Sequence, residues 1–404
     1  MKRHSNRISL SILSLLFILQ AVQILHAGTY KEVTNFGDNP SNIQMFLYTP
    51  DKVAAKPPIL VVPHWCHGSA DAAHNASYFY CSYADTLGYY VIFPNAISTD
   101  GCWDVASDKA LTHNGGGDPL GIVSMVRYVI KNFNADSTRV YVTGTSSGAM
   151  MTNVLLGAYP DVFAAGAAFA GVPFGCFAGP NSWNDDCAKG RITKTAKEWG
   201  DLVRGAYPGY TGKRPKIQMW HGTNDEVLSY NNLGEAVKQW TNVLDADTIP
   251  ASKENNFYQT GWTRQRYKNA LGEVVVETII EQNQSHNLQV PQQEALSFLG
   301  LVKPTSIKPG LMLKKSSQSY TTVIASSVES GHIAVTVRSK PGTATLSLYT
   351  SDGKMIFALP GKYSLDGNYS FMISKGALHR HASNLCIMRV SLNGADAGAF
   401  RFAY

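Results

Sequence analysis

The chain has 404 residues, 44% hydrophobic and 16% charged, a balance that excludes a disordered or coiled-coil protein and suits one large α/β domain with a smaller module. Its formal net charge of +6 includes Lys2, Arg3 and Arg7 at the start, and without these three it is +3. Nothing in that balance calls for nucleic acid or an anionic membrane as a partner.

After those basic residues, positions 8 to 25 are almost continuously apolar and Leu25-His26-Ala27 has the form of a small-residue cleavage site. The pattern predicts a secretory signal peptide, 1-27, cut after Ala27, with no stable membrane insertion afterwards; an uncleaved anchor is the alternative. Residues 29 to 50 read as two strands, and Pro57-Pro58 introduces Ile59-Leu60-Val61-Val62, a short apolar run of the kind found in buried strands. This strand ends in the loop Pro63-His64-Trp65-Cys66-His67-Gly68. A helix with Tyr80, Ala84 and Leu87 on one face follows, stopped by Gly88, and Tyr90-Val91-Ile92-Phe93-Pro94 is a further buried strand. The irregular stretch from Gly101-Cys102-Trp103-Asp104 to Asn114-Gly115-Gly116-Gly117 is long enough to suggest a functional loop. Asp118 and Pro119 are expected to cap the next helix, whose buried face is Ile122, Met125, Val126 and Val129.

The decisive stretch runs from Arg139 to Pro160. Val140, Tyr141 and Val142 are strand formers, Met151, Val154, Leu155 and Ala158 recur at helical spacing, and Gly144-Thr145-Ser146-Ser147-Gly148 lies between them. G-x-S-x-G on a strand-to-helix turn is a nucleophile elbow: the glycines let strand and helix approach, and the turn lifts the Ser146 hydroxyl above the sheet. Further on, Phe163 to Val172 reads as a small-residue strand, a loop carries Trp183, and Lys216-Ile217-Gln218-Met219-Trp220 runs into His221-Gly222-Thr223-Asn224-Asp225. Strands alternating with helices predict a mostly parallel sheet covered on both faces.

A serine nucleophile needs a base and a carboxylate to orient that base, and behind such an elbow they follow in the order Ser, Asp or Glu, His. His221 precedes the strand-end acid too closely to come third, while His332, His379 and His381 fall in a separate module. This leaves His286, in the polar loop 282–287 after the strand Glu273 to Ile280, as the base. Asp225 is the acid by shorter reach, with its neighbour Glu226 as the alternative. The backbone N–H groups of Cys66 and Ser147 are the expected oxyanion donors. Export predicts disulfides among the six cysteines, and the sequence does not choose among their 15 connectivities. Cys66–Cys102, in two loops expected to border the site, and Cys176–Cys187, across a short loop, are the expected pairs, with Cys81 and Cys386 left over. His64, Cys66, His67 and His74 lack the carboxylate or Cys-x-x-Cys that would suggest zinc, so no metal and no cofactor is expected.

From about Pro57 to Leu301 the chain resembles carbohydrate esterase family one, most closely its acetyl xylan esterase branch. The likeness lies in Gly101 to Asp104, Leu111 to Asp118, Val142 to Val154, Gly171-Val172-Pro173-Phe174-Gly175-Cys176, Glu198 to Arg204, and Trp220-His221-Gly222-Thr223 before Asp225. It implies a secreted α/β-hydrolase fold, the triad Ser146, Asp225 and His286, and a small acyl group on xylan or a related plant cell-wall polysaccharide as substrate. Members often have Gly before the histidine, where this chain has Ser285. Feruloyl esterases and relatives of polyhydroxybutyrate depolymerases share the elbow, so the acyl group stays open; a serine peptidase and a non-catalytic polysaccharide-binding protein are more remote readings. Trp103, Trp183 and Trp220 are candidates for stacking on sugar rings, with filling of loop cores as the alternative.

Residues 28-301 thus form the predicted esterase domain and 302-314, rich in Pro, Gly and Ser, a linker. In 315-404 the alternation of Ile333, Val335 and Val337, of Leu346 and Leu348, of Met388 and Val390, and of Phe400, Phe402 and Tyr404 predicts a small β-sandwich, with hairpin turns at Asp352-Gly353 and Asn393-Gly394. Leu346 to Lys354 resembles modules at the C-terminus of exported polysaccharide-degrading enzymes, which implies sorting by the secretion machinery or attachment to the cell surface. Carbohydrate binding or an inert stabilising domain are the alternatives.

Overall fold

The computed structural model describes residues 28–302 and, beyond them, strands between residues 322 and 403. The expected signal peptide and nearly all of the expected linker lie outside the described residues. In chain order come β1 (Thr29–Val33), β2 (Gln44–Thr49), β3 (Ile59–Val61), α1 (Ala70–Ala76), α2 (Tyr78–Leu87), β4 (Tyr90–Asn95) and α3 (Gly117–Phe133). They are followed by β5 (Val140–Thr145), α4 (Ser147–Ala158), β6 (Ala165–Phe169), α5 (Asp185–Ala188), α6 (Ala196–Ala206), β7 (Lys216–Gly222) and α7 (Asn231–Val243). Then come β8 (Ser252–Asn255), β9 (Trp262–Lys268), β10 (Val274–Glu281) and α8 (Gln292–Leu299).

These strands make one sheet of order β1-β2-β4-β3-β5-β6-β7-β10-β9-β8. From β4 to β10 the neighbours run parallel, and the pairs outside that block are antiparallel. A parallel block needs cover on both faces, and β3 shows how the sequence provides it. Ile59 and Val61 join a core cluster with Ile122 of α3, Met151 of α4, Trp199 of α6 and Trp240 of α7. Leu60 joins the opposite cluster, with Ala73 of α1, Tyr80 of α2 and Leu296 of α8. The small residues of β6 let α4 lie close: a Cβ on Gly166 would come within 2.8 Å of Leu156 Cδ1.

Three local expectations change. Leu87 is 38% exposed while Tyr80 and Ala84 are buried, since it is the last residue of α2, beside the left-handed Gly88 that ends the helix. The N-cap of α3 is Gly116; Asp118 sits inside the first turn, where its carboxylate accepts the Asp104 N–H at 2.8 Å and ties the long loop 96–116 to the helix. The α7 helix and the β8–β9 hairpin were not anticipated, although Leu233, Ala236, Trp240 and Val243 recur at helical spacing.

Beyond residue 321 lie β11 (Thr322–Val328), β12 (His332–Arg338), β13 (Ala344–Thr350), β14 (Met355–Pro360), β15 (Lys362–Tyr363), β16 (Asn368–Ser374), β17 (Leu385–Leu392) and β18 (Ala395–Ala403). They pair as two antiparallel four-stranded sheets, β11-β12-β16-β15 and β14-β13-β17-β18, in keeping with the expected all-β make-up. The strands on either side of Asp352-Gly353 and of Asn393-Gly394 pair with each other.

Candidate active site

Because the central strands are parallel, their carboxyl ends share one edge of the sheet, where ligands bind in such folds. The elbow stands in the middle of that edge. Ser146, between β5 and α4, has φ 56° and ψ −120°, a conformation that costs a non-glycine residue about 1–3 kcal/mol. Its surroundings hold it there: the Ser146 N–H donates to the Phe169 carbonyl at 2.8 Å, and its own carbonyl accepts from Met150 at 2.9 Å. The flanking glycines are sterically required. A Cβ on Gly148 would stand 2.2 Å from the Pro63 carbonyl oxygen, and one on Gly144 would stand 2.5 Å from the Gly148 carbonyl carbon. The end of β3 therefore packs backbone to backbone against the elbow, and the half-buried Ser146 is turned outward.

β7 and β10 bring in the other two groups. His286 Nε2 lies 2.9 Å from Ser146 Oγ, and its Nδ1 lies 2.8 Å from Asp225 Oδ2 and 3.0 Å from Oδ1. A carboxylate can only accept, so Nδ1 carries the proton and Nε2 is left free to take one from the serine. Burial alone would raise the Asp225 carboxyl. Hydrogen bonds from His221 and His286 outweigh it and hold the group well below the usual carboxylate range. Asp225 Oδ1 also accepts from the Val227 and Leu228 N–H groups, at 3.0 and 2.8 Å. Glu226 faces the backbone, not the imidazole: its Oε2 accepts the His286 N–H at 3.2 Å. Gly222 lets the acid and base loops meet, since a Cβ there would lie 2.3 Å from the Gln284 carbonyl oxygen. In the base loop the left-handed backbone falls on Asn283, at φ 61°, and not on Ser285, so a serine fits at position 285 without strain.

Both expected disulfides form, and each braces a loop of the site. Cys66–Cys102 joins the loop after β3 to the loop after β4, beside the His67 N–H donating to the Asp100 carbonyl at 2.9 Å. Cys176–Cys187 closes the loop after β6, whose Cys187 and Ala188 carbonyls accept from Asn232 Nδ2 and the Ser229 N–H just past the acid. Ser147 begins α4 directly after Ser146, so its N–H belongs to the first turn, which has no partner within the helix. Its hydroxyl accepts the Trp103 N–H at 3.0 Å. Cys81 is buried, with a free thiol.

The aromatic candidates separate. Trp220 is corrected: it is fully buried, stacked on Phe169 with ring centroids 5.2 Å apart, and its indole donates to Gln218, because alternate residues of a central strand point into the cores. Trp103 is corrected as well. Only 4% exposed, it donates its indole N–H to the His64 carbonyl at 2.7 Å and props the loop that carries Cys66. Trp183 remains open to solvent at 49% exposure, edge-on to Phe177 within the Cys176–Cys187 loop. His64 has both ring nitrogens occupied: Nε2 accepts the Ala96 N–H at 3.0 Å and Nδ1 donates to the Trp65 carbonyl at 2.7 Å. It is a neutral structural histidine, and burial lowers its pKa. The sequence reading missed His221, set aside as a base, whose buried Nε2 lies 3.2 Å from Asp225 Oδ2.

The profile of the family described as "Esterase PHB depolymerase" matches residues 43–244. The chain belongs to this family of carboxylic ester hydrolases. The esterase is 43% identical over 282 residues to the probable acetylxylan esterase A of Aspergillus flavus, an alignment covering 69% of this chain and 90% of that one. It is 47% identical over 249 residues to feruloyl esterase B of Talaromyces funiculosus, covering 60% and 70%. Its fold superposes on an acetyl xylan esterase from Aspergillus awamori with a TM-score of 0.64 and 36% identity, covering 68% of this chain and all of the other. The match to the family profile ends before the C-terminal strands.

Proposed function

We propose that this esterase removes acetyl groups from acetylated xylan through an acyl-enzyme. The observation that carries the reading is the unbroken relay from Ser146 Oγ through His286 to the buried Asp225. His286 Nε2 takes the serine proton as Oγ attacks the ester carbonyl, and Asp225 stabilises the imidazolium. The N–H groups of Cys66 and Ser147 receive the oxyanion. As the C–O bond to the sugar breaks, the imidazolium protonates the departing sugar oxygen to give the free hydroxyl, and a water activated by the same nitrogen then attacks the acyl carbonyl and releases acetate and Ser146. Feruloyl ester hydrolysis is the second reading, favoured by the comparable identity to a feruloyl esterase. We further propose an exported enzyme, supported by two disulfides, with Trp183 as a sugar platform and the C-terminal strands serving sorting or attachment.

Release of acetate against ferulate from natural arabinoxylan decides between the two acyl groups, and acetate is expected to dominate. Ser146→Ala should reduce hydrolysis of 4-nitrophenyl acetate to background, with a peptide substrate untouched by either protein. Full ester activity in Ser146→Ala would remove the nucleophile assignment.

A further inference from the structure

The catalytic acid has a second imidazole beside it. His221, on β7, is 1% exposed, and the Asp225 side chain has no exposed surface. His221 Nε2 lies 2.8 Å from the Leu228 carbonyl oxygen, which can only accept, so that nitrogen carries a proton. The same nitrogen lies 3.2 Å from Asp225 Oδ2, a second and longer contact beside its hydrogen bond to Leu228, and that oxygen also receives His286 Nδ1 at 2.8 Å. The contacts on the carboxylate divide cleanly. Oδ1 takes the Val227 and Leu228 N–H groups and the longer contact from His286, whereas Oδ2 has the two imidazoles alone.

We propose that His221 is a positioning residue for the reaction, its shared N–H anchoring Oδ2 of Asp225 so that the carboxylate meets His286 in one fixed orientation and with part of its charge already offset. The inference rests on the Ser146–His286–Asp225 reading above and extends it to a fourth side chain. The placement is specific: Gly222 follows His221 directly, and its missing side chain admits the Gln284 carbonyl, so the segment that carries the anchor also seats the base loop. The other charged group at this point, Glu226, faces the His286 backbone, and Lys189 Nζ reaches the Glu226 carbonyl at 3.4 Å; neither side chain touches the Asp225 carboxylate.

The consequences follow from charge. Without the His221 donor, Oδ2 keeps more negative charge for His286, which then holds its proton more tightly, and the carboxylate loses one of its tethers. In His221→Leu the acid limb of the kcat/KM profile for 4-nitrophenyl acetate should move up by about half a pH unit or more. The kcat should fall about tenfold while KM stays as in the parent, because a side chain this deeply buried does not reach substrate. His221→Gln places an amide N–H near the position of Nε2 and should restore most of both quantities. His221→Asn is too short to reach Oδ2 and should behave like Leu.

The experiment is a full pH–rate profile of the full-length enzyme and these three variants, each checked by circular dichroism, with Ser146→Ala alongside. A shifted acid limb in Leu and Asn together with rescue by Gln is the expected result. Should Leu fail to fold, the Gln and Asn pair decides the matter. Equal kcat and equal acid limbs in Gln and Asn, or a folded Leu variant with the parent's profile, overturns the positioning role. Activity retained by Ser146→Ala would instead overturn the underlying triad, so the two failures are distinguishable.

Discussion

Ser146 and His286 meet at 2.9 Å, yet the two halves of the site are held by different means. On the nucleophile side the constraint is local and steric: two glycines within five residues, a strained serine between them, and the end of β3 pressed against both. On the acid–base side it is long-range and polar. Segments about 60 residues apart are joined by the Asn224 N–H to the Gln284 carbonyl at 3.0 Å, the Asn283 N–H to Thr223 Oγ1 at 2.8 Å, and the His286 N–H to Glu226. A steric constraint fails with the fold, whereas a polar one can loosen while the fold survives.

The two glycine contacts break this comparison most sharply. Gly148→Ala forces a methyl into the Pro63 carbonyl inside the sheet's central packing, and should cost more than about 3 kcal/mol, read as a large loss of Tm or of soluble protein. Gly222→Ala makes a clash as short on paper, but against a surface loop that can shift. Its Tm should fall far less, while kcat drops roughly 100-fold as His286 moves off its partner. Equal effects of the two substitutions on Tm would erase the distinction drawn here.

Within the acid–base half, Asp225→Asn should lower kcat by about 10⁴, since the amide no longer selects the Nδ1–H tautomer. Glu226→Ala removes only a backbone tether and should cost about tenfold or less. An Asp225→Asn variant with the parent's kcat would transfer the acid's role to Glu226.

A smaller effect sits at the root of the base loop. Glu281, the last residue of β10, is fully buried, and burial outweighs a hydrogen bond from the Gln289 backbone and pushes its carboxyl up from an ordinary 4.5 to about 8. Between those two values the folded protein keeps a proton that the unfolded chain has released, so stability falls as pH rises through this window and is level on either side. The loss should amount to a few kcal/mol, and Glu281→Gln should flatten it. Urea midpoints at pH 5 and pH 8 test this: a parent whose midpoint does not fall between them would contradict the buried, protonated carboxyl. The smallest effect is expected from the far end of the chain. Cutting near Thr305 should leave kcat on a small soluble acetate ester unchanged, and a folded truncation that has lost this activity would show that the C-terminal strands complete the site.

What could be read from the sequence follows the same division. The elbow was legible because its determinants are consecutive: strand formers, G-x-S-x-G and a helical apolar repeat need nothing from elsewhere in the chain. The parallel sheet was legible for a similar reason, since the apolar runs at Ile59 and Tyr90 have to be buried on both faces. Asp225 and His286 came from chain order plus position at strand ends, Cys66–Cys102 from two loops expected to border the site, and Cys176–Cys187 from the short loop it closes. Side-chain direction and partner choice were decided only by tertiary structure. Trp220 looks like a site residue because it precedes the acid by a few positions, but alternation along β7 sends it into the core beside Phe169. Trp103 lies in a functional loop and yet serves as that loop's internal support, because His64 presents it a carbonyl. Chain order excludes His221 as the base, but order says nothing about the return of Leu228 and Asp225 onto its Nε2. That contact is made by a turn closing in space, and no periodicity or motif encodes its distance.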